Sequence, residues 1–282
     1  MKGQPGRMDT AGAVTAFLFL FTFLYFINQT QQLGFSLTTG LILAVVVISG
    51  TCFFFIEAHS PQPMMNLALF KHRTFSLGTL SAILNFMSQY IMVFLTPFYL
   101  QRILHYSPDR IGLLMTCFPL AVMAAAPFSG ALSDRIGTRL PATLGAAICA
   151  LAMVAMSFLP SAASAATVGW RLALFGIGTG IFQSPNNSAI MGTVPRPHLG
   201  IASGVLATAR NTGMALGIAT AGLILYSLVP PPIITQTSLG GSQAALFLAG
   251  LKYSYLAGAA LTALAALFSG IQSEPARKSK EA

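Results

Sequence analysis

The sequence predicts an all-α polytopic membrane protein with about eight transmembrane helices. Three observations carry that prediction. First, 55% of the 282 residues are hydrophobic and only 7% are charged, against about a quarter charged in an ordinary soluble domain. So few charges cannot cover a water-facing surface, and a mean hydropathy of +0.73 excludes disorder. Second, the apolar residues fall into eight runs, each close to the ~20 residues that a hydrocarbon layer of about 30 Å demands. Third, nearly all the charges stand at the ends of these runs. The runs are continuous and lack period-2 alternation, which excludes a β-barrel.

The expected spans are 10–27, 38–56, 75–99, 110–131, 140–159, 169–191, 200–228 and 246–270. The first follows Lys2 and Arg7 as a signal peptide would, but it is long, has no A-x-A pattern and is followed by further spans, so it reads as a retained helix. No charge lies between Asp9 and Glu57, which sets the first two spans apart. The 57–74 connection holds Pro61 and Pro63, then Met64, Met65, Leu67, Leu69 and Phe70, a pattern expected to include a short interfacial helix. Pro97, Pro119, Pro127 and Pro185 lie inside spans, where each removes a backbone hydrogen bond and favours a kink. Gly213 and Gly217 have the spacing for close helix contact. The expected organisation is a helix pair with its linker over 1–74, a six-helix bundle over 75–270 and a basic tail over 271–282.

Lys and Arg number 15 against 6 Asp and Glu, a net charge of +9. In a soluble chain that excess would suggest nucleic acid. Here the basic residues mark topology, the bilayer is the partner and nucleic acid is not. One side collects Lys2, Arg7, Lys71, Arg73, Arg135, Arg139, Arg196, Arg277, Lys278 and Lys280. The other holds Arg102, Arg110, Arg171 and Lys252, which places both termini in the cytoplasm. Cys52, Cys117 and Cys149 lie in apolar runs without metal-ligand spacing and read as small buried hydrophobes. His59, His72, His105 and His198 sit in connections, unpaired. With no paired acids inside a span and no nucleophile beside a base, neither a metal site, a cofactor nor an enzyme is expected.

Polar residues inside the spans are the candidate site. Arg210 lies about 15 Å along its helix, where a charge normally faces a bundle interior or a watery cavity. Ser203 and Ala207 share its face. Asn85, Ser88 and Gln89 share a face of the third span, as do Gly176, Gly180, Gln183 and Asn187 of the sixth. The candidates for lining a substrate cavity are therefore Asn85, Gln89, Gln183, Asn187 and Arg210. Interhelical hydrogen bonding, about 0.6 kcal/mol per contact, is the alternative role for each.

A short turn carries the most specific pattern: Gly130, Asp134, Arg135, Gly137 and Arg139. So tight a turn needs a residue tolerating positive φ at Gly137, and Gly130 would let helices approach closely. Asp134 can accept from exposed N–H groups at a neighbouring helix start, and the arginines anchor the loop. This G-x-x-x-D-R-x-G-x-R run resembles the inter-span signature of the major facilitator superfamily. Pro63–Phe75, Tyr99–Gln101 with Tyr106–Pro108 and Gly112, Gly176–Gly180 with Pro185, Gly200–Gly204, and Arg210–Gly213 with Ala215–Gly217 resemble its fourteen-span drug:H⁺ antiporter type. His105 stands where that group commonly has Gly, and Leu140 where it has a second basic residue.

The resemblance implies a proton-coupled multidrug efflux transporter of the bacterial cytoplasmic membrane, acting on small amphipathic substrates. It further implies that this chain matches only the second part of one: two central spans plus the C-terminal six-helix bundle. In the family the six preceding spans carry the acid and arginine of proton coupling. The expectation is an incomplete transporter that needs a missing N-terminal half or a second copy. The alternative is a non-transporting truncated remnant, or a membrane subunit that assembles with or regulates another protein.

Overall fold

The computed structural model describes residues 10–33, 37–59, 67–195, 198–234, 236 and 239–272, and every regular element among them is helical. The elements are α1 Thr10–Leu33, α2 Leu37–His59, a 3-10 turn at Leu67–Lys71, α3 Arg73–Arg102, α4 Pro108–Met115, α5 Cys117–Ile136, α6 Arg139–Ser157, α7 Ala165–Gly192, α8 Leu199–Leu228, α9 Pro231–Ile234 and α10 Gly241–Ile271. Among the described residues seven spans are long and apolar enough to cross a membrane, with α4 and α5 counted as one. They begin with α2; α1 covers the remaining apolar segment. The protein is an all-α integral membrane protein. The expected tail at 271–282 lies outside the described residues from 273 on, as does Arg196.

The chain divides into two compact units, 1–71 and 72–282. In the first, α1 and α2 pack as a hairpin. Phe19 stacks on Phe53 with ring centroids 6.4 Å apart, and the Thr22 and Ser49 hydroxyls share a hydrogen bond of 3.1 Å. The 3-10 turn stands in the connection for which a short interfacial helix was expected.

The second unit is a bundle in which α7 packs on α5 and α6, α10 on α6 and α3, and α3 on α8. Lipid tails are as apolar as leucine, so burial drives such packing weakly and close backbone approach takes its place. Glycines provide that approach. A Cβ on Gly178 would stand 2.8 Å from the Cys149 nitrogen, and one on Gly145 would meet the Phe182 nitrogen, so α6 and α7 touch main chain to main chain. Gly176 and Gly180 do the same against the Phe118 and Val122 carbonyls of α5, at 2.5 and 2.8 Å. Gly213 and Gly217 press on α3 at the Ile83 and Met87 carbonyls, so this pair is a packing device. Around these seams lies a core of Tyr99, Phe175, Phe247, Met153, Met156 and Tyr255.

Proline acts unevenly. Pro119 would set its ring against the Met115 carbonyl four residues earlier, and the helix breaks there, at Thr116 between α4 and α5. Helix continues through Pro97, Pro127 and Pro185. Cysteine is corrected too: Cys149 is buried, Cys117 partly so, and Cys52 exposed. An apolar helix face in a bilayer meets lipid, so apolar sequence does not imply burial against protein.

Gly217 and Gly204 lie on one helix in opposite circumstances, since nothing stands within 4 Å of a Cβ on Gly204. Gly217→Ala is expected to destabilise the bundle by about 1–3 kcal/mol through overpacking. Gly204→Ala is expected to stabilise it by about 0.5–1 kcal/mol through helix propensity. Thermal unfolding of both variants in mild detergent checks the opposite signs.

Candidate functional site

The site begins at mid-depth on α3. Gln89 stands about 24 Å from the Arg73 end and about 20 Å from the Arg102 end at 1.5 Å per residue. Across from it on α7, Gln183 Nε2 donates to Gln89 Oε1 at 3.5 Å. That distance is at the limit of hydrogen bonding, so most of the capacity of both amides is unspent. Both side chains are partly exposed, which makes the pair accessible from outside the bundle.

One turn earlier on α3 the polar residues turn inward. Asn85 is 0% exposed, and beyond an interaction with the Cys149 thiol neither its oxygen nor its nitrogen has a hydrogen-bond partner of good geometry. The Ser88 hydroxyl is buried and unpartnered, with Gly258 of α10 so close that a Cβ there would lie 3.1 Å from it. Thr79 and Ser269 add two more unpartnered buried hydroxyls. The neighbouring helices bring Cys149 Sγ within 3.6 Å of the Thr179 hydroxyl and 3.7 Å of the Phe175 carbonyl. Together these side chains give a largely apolar bundle a polar interior on α3, α6, α7 and α10.

Asn186 is the residue that sequence reading missed. It is buried, donates from Nδ2 to the Gly78 carbonyl at 3.1 Å, and accepts from Gln272 Nε2 at 3.4 Å. Asn187, the expected member of this face, is exposed. Gly176 and Gly180 of the same expected face are spent on α5. Positions three and four residues after Gln183 fit a helical face equally well, so the pattern alone could not choose between the two asparagines. Arg210 is exposed on α8, together with Ser203 and Ala207. It does not enter the interior of this bundle, and neither it nor Asn187 hydrogen-bonds the glutamine pair. A lone arginine gives its helix position but not which face the partner helices take.

The turn between α5 and α6 has the expected backbone. Gly137 sits at φ 92°, and its N–H donates to the Ser133 carbonyl at 2.9 Å, ending α5. Asp134, Arg135 and Arg139 are exposed around it. Gly130 lies 3.3 Å, from its would-be Cβ, to the Ser184 hydroxyl of α7, a side-chain rather than a main-chain approach. Beside it, Ser129 Oγ donates to the Ile181 carbonyl at 2.8 Å and fastens α5 to α7. Among the described residues no three His, Cys, Asp or Glu side chains lie grouped as a metal site.

A profile of the Major Facilitator Superfamily matches residues 78–281 of this chain. The chain belongs to the major facilitator superfamily. Among similar superfamily proteins, the uncharacterized transporter YebQ of Escherichia coli is 37% identical over 183 residues, covering 65% of this chain and 40% of that protein. The riboflavin transporter RibZ of Clostridioides difficile is 36% identical over 163 residues, covering 58% and 36%. The multidrug resistance protein Stp of Mycobacterium tuberculosis is 30% identical over 221 residues, covering 78% and 41%. The chain therefore spans about two fifths of the length of these curated relatives. Within the superfamily's many-helix architecture, the matched region is the second compact unit almost in full.

The unsatisfied Asn85 amide gives a test. Replacing a buried polar group that lacks a well-placed partner with an apolar side chain of similar shape removes a desolvation penalty of about 1–3 kcal/mol. Asn85→Leu is therefore expected to raise the unfolding temperature of the purified chain. A drop would mean that the amide has a partner, such as a bound water.

Proposed function

We propose that this chain forms the C-terminal bundle, with the preceding helix pair, of a fourteen-span exporter that exchanges small amphipathic compounds for protons. The observation that carries this reading is the Gln89–Gln183 pair, two polar side chains of low commitment at mid-depth and open to the outside. Secondary transporters bind substrate near the bilayer midplane, and such amides orient an otherwise apolar ligand by one or two hydrogen bonds. The similarity to Stp and RibZ, named as a multidrug resistance protein and a riboflavin transporter, supports substrates of this general size and kind. The distribution of basic residues supports both termini on the inner side, and the bacterial sources of YebQ, RibZ and Stp support a bacterial cytoplasmic membrane. The protein acts as a carrier and not as an enzyme.

Proton coupling is a matter of acids. Asp109 and Asp134 are the only acids between residues 72 and 272. Asp109 starts α4 and Asp134 lies in the last turn of α5, so neither stands at mid-depth. A proton relay through a membrane needs ionisable groups at depth. In this reading they come from six further spans, because a second copy of the chain would bring the same shortage. The same shortage favours a second reading, a membrane subunit that assembles with or regulates another protein without transporting.

Ethidium, an amphipathic cation, serves as the probe. In vesicles containing only this chain, ethidium is expected to drive no proton flux, and robust antiport would overturn the need for a partner. The purified chain is expected to bind ethidium saturably by fluorescence anisotropy, with Gln89→Leu and Gln183→Leu each weakening Kd about tenfold, about 1.4 kcal/mol. Absence of saturable binding, or unchanged Kd in both variants, would favour the non-transporting reading.

A further inference from the structure

Four cations stand at the end of the bundle opposite the α5–α6 turn, and each lies over an aromatic ring. Arg110 is 3.9 Å from the Tyr106 centroid, Arg171 is 4.5 Å from Trp170, and Lys252 is 5.7 Å from Phe158. Arg102 is over two rings, 4.9 Å from Phe98 and 5.7 Å from Phe247. It also forms one wall of a cavity of about 320 Å³ between α3 and α8, with Ile234 of α9 on its lining. Among the described residues no carboxylate pairs with it. Its nearest acid in sequence, Asp109, is exposed at the start of α4.

The cavity is ordered by depth. Arg102 ends α3, and Tyr226 lies three residues from the last residue of α8, counting both ends, so both stand at the edge of their spans. Phe98 and Phe94 lie one and two turns deeper on α3, about 6 and 12 Å down the helix axis. Gly222 and Leu225 continue the opposite wall on α8. A cation with a phenol beside it thus opens at the interface onto a groove of aromatic and aliphatic surface that descends into the hydrocarbon. The matching ligand has an anionic oxygen group at one end and a hydrocarbon chain running inward from it. Arginine suits phosphate oxygens because its planar fork donates to two of them at once, and the Phe98 ring 4.9 Å away supports the cation.

We propose that this cavity binds one anionic phospholipid, with its phosphate on Arg102 and an acyl chain along Phe98, Phe94 and Leu225. The site lies apart from the Gln89–Gln183 pair, and the proposal does not depend on what the bundle carries. Such a lipid seats the α3 and α8 ends against each other and completes the coordination of a cation that no carboxylate among the described residues pairs with.

Native mass spectrometry of the full chain in mild detergent tests this, with dioleoyl phosphatidylglycerol, dioleoyl phosphatidylcholine and inorganic phosphate as probes. One phosphatidylglycerol per chain is expected to be retained at least tenfold more strongly than phosphatidylcholine, and inorganic phosphate is expected not to displace it. Arg102→Gln should abolish the preference between headgroups, while Arg110→Gln, which alters an exposed cation at the same end, should leave it intact. Gly222→Leu, which fills the groove and keeps the charge, should lower retention of phosphatidylglycerol several-fold. Should Arg102→Gln fail to fold, Arg102→Lys is expected to reduce the preference by losing the two-pronged contact. Equal retention of both lipids, displacement by inorganic phosphate, or a preference insensitive to both Arg102 variants would overturn the proposal.

Discussion

The structure depends on how closely helix backbones approach where no hydrophobic gain rewards their meeting. In water, burying apolar side chains would hold six helices together. In a bilayer the lipid solvates those side chains as well as another helix does, and attraction comes from contact at short range. Gly145 and Gly178 supply that contact between α6 and α7, Gly176 and Gly180 between α7 and α5, and Gly213 and Gly217 between α8 and α3. Two of these seams lie close in sequence to the candidate site. Met87, whose carbonyl meets Gly217, lies two residues before Gln89, and Gly180 lies three before Gln183. Between α3 and α7 themselves the close approach is at Gly78, whose would-be Cβ lies 2.7 Å from Ile190 Cγ1.

Hydrogen bonds then finish what the seams begin. Ser129 fastens α5 to α7 and Ser81 fastens α3 to the Ala265 carbonyl of α10 at 3.2 Å. Near the other end, the Tyr99 hydroxyl donates to the Pro160 carbonyl at 2.7 Å, and the Thr96 and Tyr255 hydroxyls meet at 3.1 Å. Arg171 caps this end by donating to the Ala155 and Thr167 carbonyls, at 2.9 and 2.6 Å. Buried hydroxyls with partners fasten helices, whereas Asn85, Ser88, Thr79 and Ser269 remain without one of good geometry. A bundle that satisfies most of its polar groups and leaves a local group unmet carries its tension at that group.

Much of this was legible in the sequence, for definite reasons. Span positions follow from a length scale the bilayer imposes, and Gly137 from the need for positive φ in a tight turn, met at 92°. The unusual residue of the α3–α4 connection has a physical meaning too: His105 adopts φ 54°, a conformation that glycine takes at no steric cost and histidine does not. The family resemblance rested on such residues and led to the right superfamily. What could not be read was rotation about helix axes. Asn186 and Asn187 fit one face equally well, and the place of Arg210 along α8 does not reveal that its side chain lies on the exposed face of this bundle. A cysteine in an apolar run looks the same whether lipid or protein covers it, as Cys52 and Cys149 show. Helix rotation is decided by partner helices distant in sequence, and no local pattern encodes it.

If the mid-depth polar pair on α3 and α7 is a substrate site, it faces water rather than lipid, while Asn85 one turn away is sealed in. Single cysteines at positions 85, 89 and 183, placed in a chain whose three native cysteines are replaced by alanine or serine, test this in sealed vesicles. A membrane-impermeant charged thiol reagent is the probe, because thiolate forms only where water reaches. Rapid labelling of Gln89→Cys and Gln183→Cys and none of Asn85→Cys is the expected result. Failure of the reagent to reach either glutamine position, with the folded chain confirmed, would contradict it.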